Sequence, residues 1–270
     1  MHEDETTSVK AIMNEPKAAT RGNPSYVWRA GQERRLGMLN EAAPLAGKRV
    51  LEIGCGIGMY LRAVRRFTEH VVGLDVEEER VVEGSHRGIP QMLVGAGERL
   101  PFEDGCFDVV FSHEVLEHVD DDRQVCREMA RVLRTGGRAV IFVPNRLYPF
   151  ETHGIYWRRQ YHFGNKLFVN WLPDFLRNRL APHVRAYTSA GLRGLFIGTP
   201  MRVINHTQVY PGFDNIVARY GTKGRALRRI MQALESTPLR VYGLSHFLVM
   251  EKTTHYRMTV ANSRAINRRV

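Results

Sequence analysis

Cysteine is scarce in this 270-residue chain: Cys55, Cys106 and Cys126 are the whole complement. An odd set without zinc-type spacing excludes a disulfide framework and points to a reduced, cytoplasmic protein. Long apolar runs are missing too. None approaches the roughly 18 residues that a membrane-spanning helix needs. The opening MHEDETTSVK is acidic and polar, with no apolar stretch behind a basic start, and does not read as a secretory leader. No segment repeats and none is of low complexity.

Acidic residues are outnumbered. The 28 Asp and Glu stand against 39 Lys and Arg, a formal net charge of +11. The signs are mixed up to Asn145, and arginine dominates from Arg146 onward, for example at Arg158, Arg159, Arg177 and Arg179, and again at Arg264, Arg268 and Arg269. A basic half suits nucleic acid, anionic lipid or an acidic substrate. It suits a solvated surface of high isoelectric point equally well. The length fits one large α/β domain, or a core domain with a cap.

Residues 1–22 are charged, small and aperiodic, and are expected to be disordered. Residues 254–270 read as a basic tail, and 23–253 as a single domain. Residues 25–43, SYVWRAGQERRLGMLNEAA, carry apolar positions at helical spacing. Strands and helices then alternate: strand 49–53, helix 59–67, strand 70–75, helix 77–85, strand 91–94, strand 106–112, helix 120–134 ended by Gly136 and Gly137, and strand 138–144. Near-continuous apolar runs mark strands buried on both faces. The alternation predicts a parallel sheet covered by helices.

Residues 146–187 break the pattern, being aromatic, basic and proline-punctuated. KLFVNWLPDFLRNRL (166–180) sets Leu167, Phe168, Trp171, Leu172, Phe175 and Leu176 on one apolar face, broken at Pro173. That face is expected to form the core of an insertion; a dimer contact and a membrane-surface helix are the alternatives. A capped helix at 188–196, a strand at 200–210, a basic-faced helix at 224–236 and a strand at 243–253 complete the order.

The chemistry begins at VLEIGCGIGMY (50–60). A strand runs into Gly54, Gly56 and Gly58 and then into a helix. Glycines there permit a tight turn and a close ligand approach. Asp75, at the end of the next strand, is placed for the two hydroxyls of a ribose. The spacing is not the G-x-G-x-x-G of a dinucleotide fold, and Glu52 beside the glycines would repel a pyrophosphate. A carboxylate suits a cationic ligand such as S-adenosylmethionine, with its ammonium and sulfonium.

As an ordered set, VLEIGCGIG, VVGLD, ERLPFEDGCFDVVFSHEVLEHV and REMARVLRTGGRAVIFVPN resemble the successive motifs of class I S-adenosylmethionine-dependent methyltransferases of the type 11 kind, over roughly residues 45–145. The resemblance implies an α/β fold with a doubly wound, mostly parallel seven-stranded sheet, its last strand (243–253) antiparallel, and a lid insertion after the fifth strand. It implies S-adenosyl-L-methionine as cofactor and S-adenosyl-L-homocysteine as product. Glu52, Gly54, Cys55, Gly56 and Gly58 would lie against the methionine part, Asp75 on the ribose and Val76 beside the adenine. Where the family usually reads Asp-Ala-Glu, this chain has Ala96-Gly97-Glu98, so backbone groups of Gly97 and Glu98 would replace the missing aspartate.

His113-Glu114-Val115-Leu116-Glu117-His118 follows at a strand's carboxyl end, where open α/β sheets bind ligands. On a helix, Glu114 and His118 would be i,i+4 neighbours, as would His113 and Glu117. His113 is expected nearest the transferable methyl. Three readings stand. His118 or His113, with Glu114, acts on the proton of a hydroxyl or amine. Glu114, Glu117 and His118 hold a divalent metal, with His153 or His162 as a further ligand. Or the string is a set of surface charge pairs. Its likeness to metal-using O-methyltransferases of the ubiquinone pathway and to small-RNA terminal enzymes carries the second.

In relatives the N-terminal helix caps the cofactor pocket, which nominates Tyr26 and Arg29. The insertion nominates His153, Tyr156, Trp157, Tyr161 and His162 as a substrate lid. The expected function is methyl transfer to a small-molecule or lipid-like acceptor at O or N. A nucleic-acid methyltransferase and a non-catalytic cofactor-binding partner are the alternatives. Peripheral membrane contact, and a monomer or homodimer, stay open.

Overall fold

The computed structural model describes residues 27–254. The expectations for residues 1–22, for Tyr26 and for the tail past 254 lie outside the described residues. Seven strands form one sheet in the order β6-β7-β5-β4-β1-β2-β3. They are β1 Val50–Ile53, β2 Val71–Asp75, β3 Met92–Val94, β4 Phe107–His113, β5 Leu133–Pro144, β6 Met201–Val209 and β7 Ser245–Lys252. β1 pairs parallel with both β2 and β4, and β4 parallel with β5. β7 runs antiparallel between β5 and β6. The expected mostly parallel, seven-stranded sheet with an antiparallel last strand is what forms.

Helices cover both faces because the central strands are apolar throughout: all four residues of β1 are buried. One core packs α4 (Asp122–Val132) and α6 (Ser189–Gly194) on the sheet through Met129, Val132 and Leu192. The other packs α1 (Ala30–Ala42) and α2 (Met59–Val64) through Leu36, Leu39 and Leu61, and α3 (Glu78–His86) lies against β2 and β3. Two of these helices carry side-chain N-caps, the second as the sequence reading expected. Asp121 accepts the Gln124 N–H at 2.9 Å and Thr188 the Gly191 N–H at 3.0 Å, each satisfying an orphan donor of a first turn.

Several boundaries differ from expectation. The 120–134 helix stops at Val132, and β5 starts at once. The β4–β5 register shifts between Phe107 and Val109, so Gly136 and Gly137 sit in an irregular part of a strand and do not cap the helix. α7 spans Asp214–Ala233, beginning well before 224, with a non-helical Gly221 inside it.

The insertion after β5 is built from two short antiparallel pairs, 150–151 with 166–167 and 155–157 with 160–162, a one-turn helix at Val169–Trp171, and α5 (Asp174–Leu180). Its apolar stretch is not an insertion core. Phe175 is 74% exposed, and Leu167, Phe168, Trp171 and Leu176 are also exposed. Pro173 divides the stretch into two elements, the one-turn helix and α5. The interior holds polar side chains instead. Three of the arginines of the basic half are tied up internally: Arg177 pairs with Glu151 at 2.8 Å, Arg146 with Asp174 at 2.7 Å, and Arg185 donates to the Asp120 carbonyl at 3.0 Å. No described helix is long and apolar enough to cross a membrane.

Candidate active site

The carboxyl ends of β1, β2 and β4 meet where the strand order reverses, and a cavity opens there. Gly54, Asp75, Val76, Gly97, Glu98, Glu114 and His118 all line it. Gly54 adopts φ +74°, and a Cβ there would stand 2.2 Å from Val115 Cγ2. No other residue type fits without moving a cavity wall. Asp75 is 5% exposed and anchors the loop around it. Its Oδ2 accepts the Gly56 N–H at 2.7 Å and its Oδ1 the Glu77 N–H at 2.9 Å.

The remaining glycine-loop residues stand behind the cavity wall. Cys55 is buried with its sulfur toward Gly73. Glu52 is 3% exposed, and burial, reinforced by the nearby Asp75, drives its carboxyl far toward the protonated form. Its Oε2 and the Tyr60 hydroxyl are buried polar atoms without a hydrogen-bond partner. Such orphans, behind a glycine cradle, fit a cofactor that brings its own donors. Glu98 is tied to the start of the next helix: its Oε1 accepts the Asp120 N–H at 3.0 Å and its carbonyl accepts from the Gln124 side-chain amide at 3.2 Å.

HEVLEH is not helical. β4 runs through His113, the chain turns at Glu114, and a turn follows through His118. Glu114 takes a left-handed φ of 55°, uncommon for a non-glycine residue and typical of sites where backbone strain is held by the surroundings. The expected i,i+4 pairs therefore do not form, and the side chains sort differently.

His113 sits among the rings of Tyr60, Phe111 and Phe142. Its Nε2 is held by Arg35 of α1. Burial, with Arg35 adding to it, lowers the imidazole to about 3. Arg35 also donates to Ser245 Oγ at 3.0 Å and lies 3.6 Å from Glu114 Oε1, while Ser245 donates to that same oxygen at 2.9 Å. Burial would raise Glu114, but Arg35 and the neighbouring imidazoles outweigh it and hold the carboxyl at about 2. Glu117 is 1% exposed, and burial together with the Glu114 charge pushes it strongly upward. One carboxylate and one carboxylic acid stand side by side. Opposite environments separate them, as in acid–base pairs generally. Arg35 could not be found from sequence: it lies on a helix of unremarkable charge, far from the motif.

Glu117, His118 and His153 bring ligand-type atoms within 4.8 Å of one another. The His118 and His153 rings lie 5.2 Å apart at 78°. Burial, helped by His153, lowers His118 to about 4, and neutral imidazole is the metal-binding form. Both Glu117 oxygens and His118 Nδ1 lack hydrogen-bond partners. This donor set suits a divalent cation. Of the expected ligands it keeps Glu117, His118 and His153; it leaves out Glu114, whose oxygen Arg35 and Ser245 already engage, and the exposed His162. Of the other insertion residues, Trp157 and His162 are exposed, and Tyr156 and Tyr161 stack together and on His183. Arg29 serves as N-cap of α1; with Arg35 it borders a second cavity, on the α1 side of the site.

A family model described as Methyltransferase domain matches residues 51–141. Over these residues the chain is similar to the methyltransferase domains which that family describes. The chain is 35% identical over 118 residues to a ubiquinone biosynthesis O-methyltransferase of Thiobacillus denitrificans, 42% of this chain and 51% of that protein. It is 38% identical over 104 residues to a probable S-adenosylmethionine-dependent methyltransferase of Mycolicibacterium smegmatis, 38% of this chain and 40% of that one. The chain thus spans about half the length, or less, of these curated relatives. Among solved structures, a Mesorhizobium loti S-adenosylmethionine-dependent methyltransferase superposes with a TM-score of 0.56 at 16% identity, covering 80% of this chain and 96% of that one. At that identity the chain shares the fold, and the fold alone.

Proposed function

We propose that the protein transfers a methyl group from S-adenosylmethionine to a hydroxyl of a small-molecule or lipid-like acceptor. One observation carries this reading: a single cavity joins the cofactor-type residues Gly54, Asp75 and Gly97 to Glu114 and His118. The sulfonium needs no protein nucleophile. It needs the acceptor held in line with the methyl. On this reading Asp75 takes the ribose hydroxyls, and Gly54 faces the methionine end with Glu52 behind it.

Glu117, His118 and His153 would hold a divalent cation, which when bound would make an acceptor hydroxyl more acidic. The chain's own groups then divide the work. Ionised Glu114, fixed by Arg35 and Ser245, supplies negative charge beside the acceptor. His118 faces the cavity and is the imidazole placed to take the acceptor proton where no metal is bound. His113, held by Arg35 and of low basicity, positions and does not accept protons. The insertion closes the acceptor side as a lid, on this reading. The O-methyltransferase relative favours a hydroxyl acceptor.

Transfer of labelled methyl from S-adenosylmethionine to a cell extract, with and without chelator, tests this. Label in small-molecule or lipid fractions, lost with chelator, is expected. Label confined to RNA or DNA would overturn the acceptor class, and transfer indifferent to chelator would assign the proton to His118.

A further inference from the structure

We infer that Glu151, braced by Arg177, is a positioning residue that fixes His153 as the Nδ1–H tautomer and leaves its Nε2 for the Glu117–His118 site. The inference rests on reading Glu117, His118 and His153 as one site.

The insertion encloses an ion pair where an apolar core was expected. Arg177 Nη2 lies 2.8 Å from Glu151 Oε2, with both side chains 3% exposed. The rest of the guanidinium is used up nearby: Nε donates to Asn170 Oδ1 at 3.2 Å and Nη1 to the Val184 carbonyl at 2.9 Å. Asn170 in turn donates to the Phe150 carbonyl at 2.9 Å, next to Glu151. Glu151 is thereby clamped from one side. Its other oxygen, Oε1, accepts the backbone N–H of His153 at 3.0 Å and stands 3.1 Å from the ring Nδ1.

The chemistry of that contact fixes the ring. The buried ion pair makes Glu151 the anionic partner of Arg177, and each of its oxygens faces an N–H donor. An ionised carboxylate only accepts, so Nδ1 must carry the proton and Nε2 the lone pair. The His153 carbonyl is pinned as well, by the Tyr161 hydroxyl and by His183 Nε2 at 3.3 Å. A histidine held at its backbone and at one ring nitrogen has one nitrogen left to offer, and His118 is the ring beside it.

A buried ion pair is weak evidence for stability, because removing two charges from water offsets their attraction. Two apolar residues would fill the same space. Only an acid both ionises and accepts from Nδ1, and histidines that bind metals are commonly oriented in this way through their second nitrogen.

The test uses the full chain with nitrogen-labelled histidine and long-range proton–nitrogen NMR at about pH 8, above the ordinary imidazole range. His153 should show Nδ1–H. In the double variant Glu151→Leu/Arg177→Met, which leaves no lone buried charge, the ring should lose that preference. Affinity for zinc ion alone should fall about ten- to a hundredfold. S-adenosylmethionine affinity, read by calorimetry, should hold and report that the domain is folded. Glu151→Gln/Arg177→Met, whose amide oxygen still accepts from Nδ1, should restore tautomer and zinc affinity; a merely structural pair would treat both variants alike. An Nε2–H tautomer in the unmodified protein, or a Leu/Met variant that keeps both tautomer and zinc affinity, overturns the inference. No zinc binding by the unmodified protein would instead sink the metal reading, and the tautomer would then decide the inference alone.

Discussion

Arg35 on the N-terminal helix reaches to 3.6 Å from Glu114 just past β4, and Ser245 at the start of β7 shares the same carboxylate oxygen. Three distant segments meet on one charge. That contact lowers Glu114, and the Glu114 charge adds to burial in pushing Glu117 upward.

Arg35→Met should therefore destabilise the protein at neutral pH by about 1.5–3 kcal/mol, the range for a hydrogen bond to a charged group. The sign with pH follows. Glu114 sits at about 2 in the fold against an ordinary 4.5, so its contribution is present above pH 4.5 and is lost as pH falls toward 2. Melting curves across that window should fall more steeply for the unmodified protein than for the variant. Parallel curves would refute the pairing.

Glu117→Gln should act in the opposite direction. A carboxyl raised by burial binds a proton in the fold that the unfolded chain releases, so stability declines as pH rises above the ordinary 4.5. The amide removes that term. A gain of roughly 1 kcal/mol or more at neutral pH, about 2–4 °C in Tm for a chain of this size, is expected. It should vanish below about pH 4, where an ordinary carboxyl is protonated in both states. The same variant should weaken zinc binding, since it removes a ligand oxygen.

Gly54→Ala should abolish cofactor binding while the fold survives. The added methyl would meet Val115 at 2.2 Å and force it into the cavity. A left-handed backbone costs a further ~1–2 kcal/mol without glycine. Calorimetry with S-adenosylmethionine, beside circular dichroism, separates lost binding from lost folding.

Asp75→Ala should weaken S-adenosylmethionine by about 1–3 kcal/mol, the cost of losing a charge-assisted hydrogen-bond partner. Asp75 also holds the Gly56 and Glu77 amides, so the loss should appear as weaker binding and as a loosened loop in hydrogen exchange. Unchanged affinity would remove it from the ribose site.

The sequence by itself determined the sheet and placed Gly54 and Asp75 at strand ends that line the cavity. Strands such as β1 are apolar along their whole length because both faces are covered, and Gly54 and Asp75 are read from local backbone and charge requirements. Those signals are short-range and survive in a string of letters. The tertiary structure alone decided which partners the HEVLEH side chains meet. HEVLEH turns at a left-handed Glu114 and forms no helix, so Glu117 meets His118 and His153 while Glu114 meets Arg35. The insertion buries Glu151 and Arg177 and exposes Phe175, the reverse of an apolar-inside reading. Each of these outcomes depends on a partner that chain folding brings from another segment, and no local periodicity records where a distant charge will arrive.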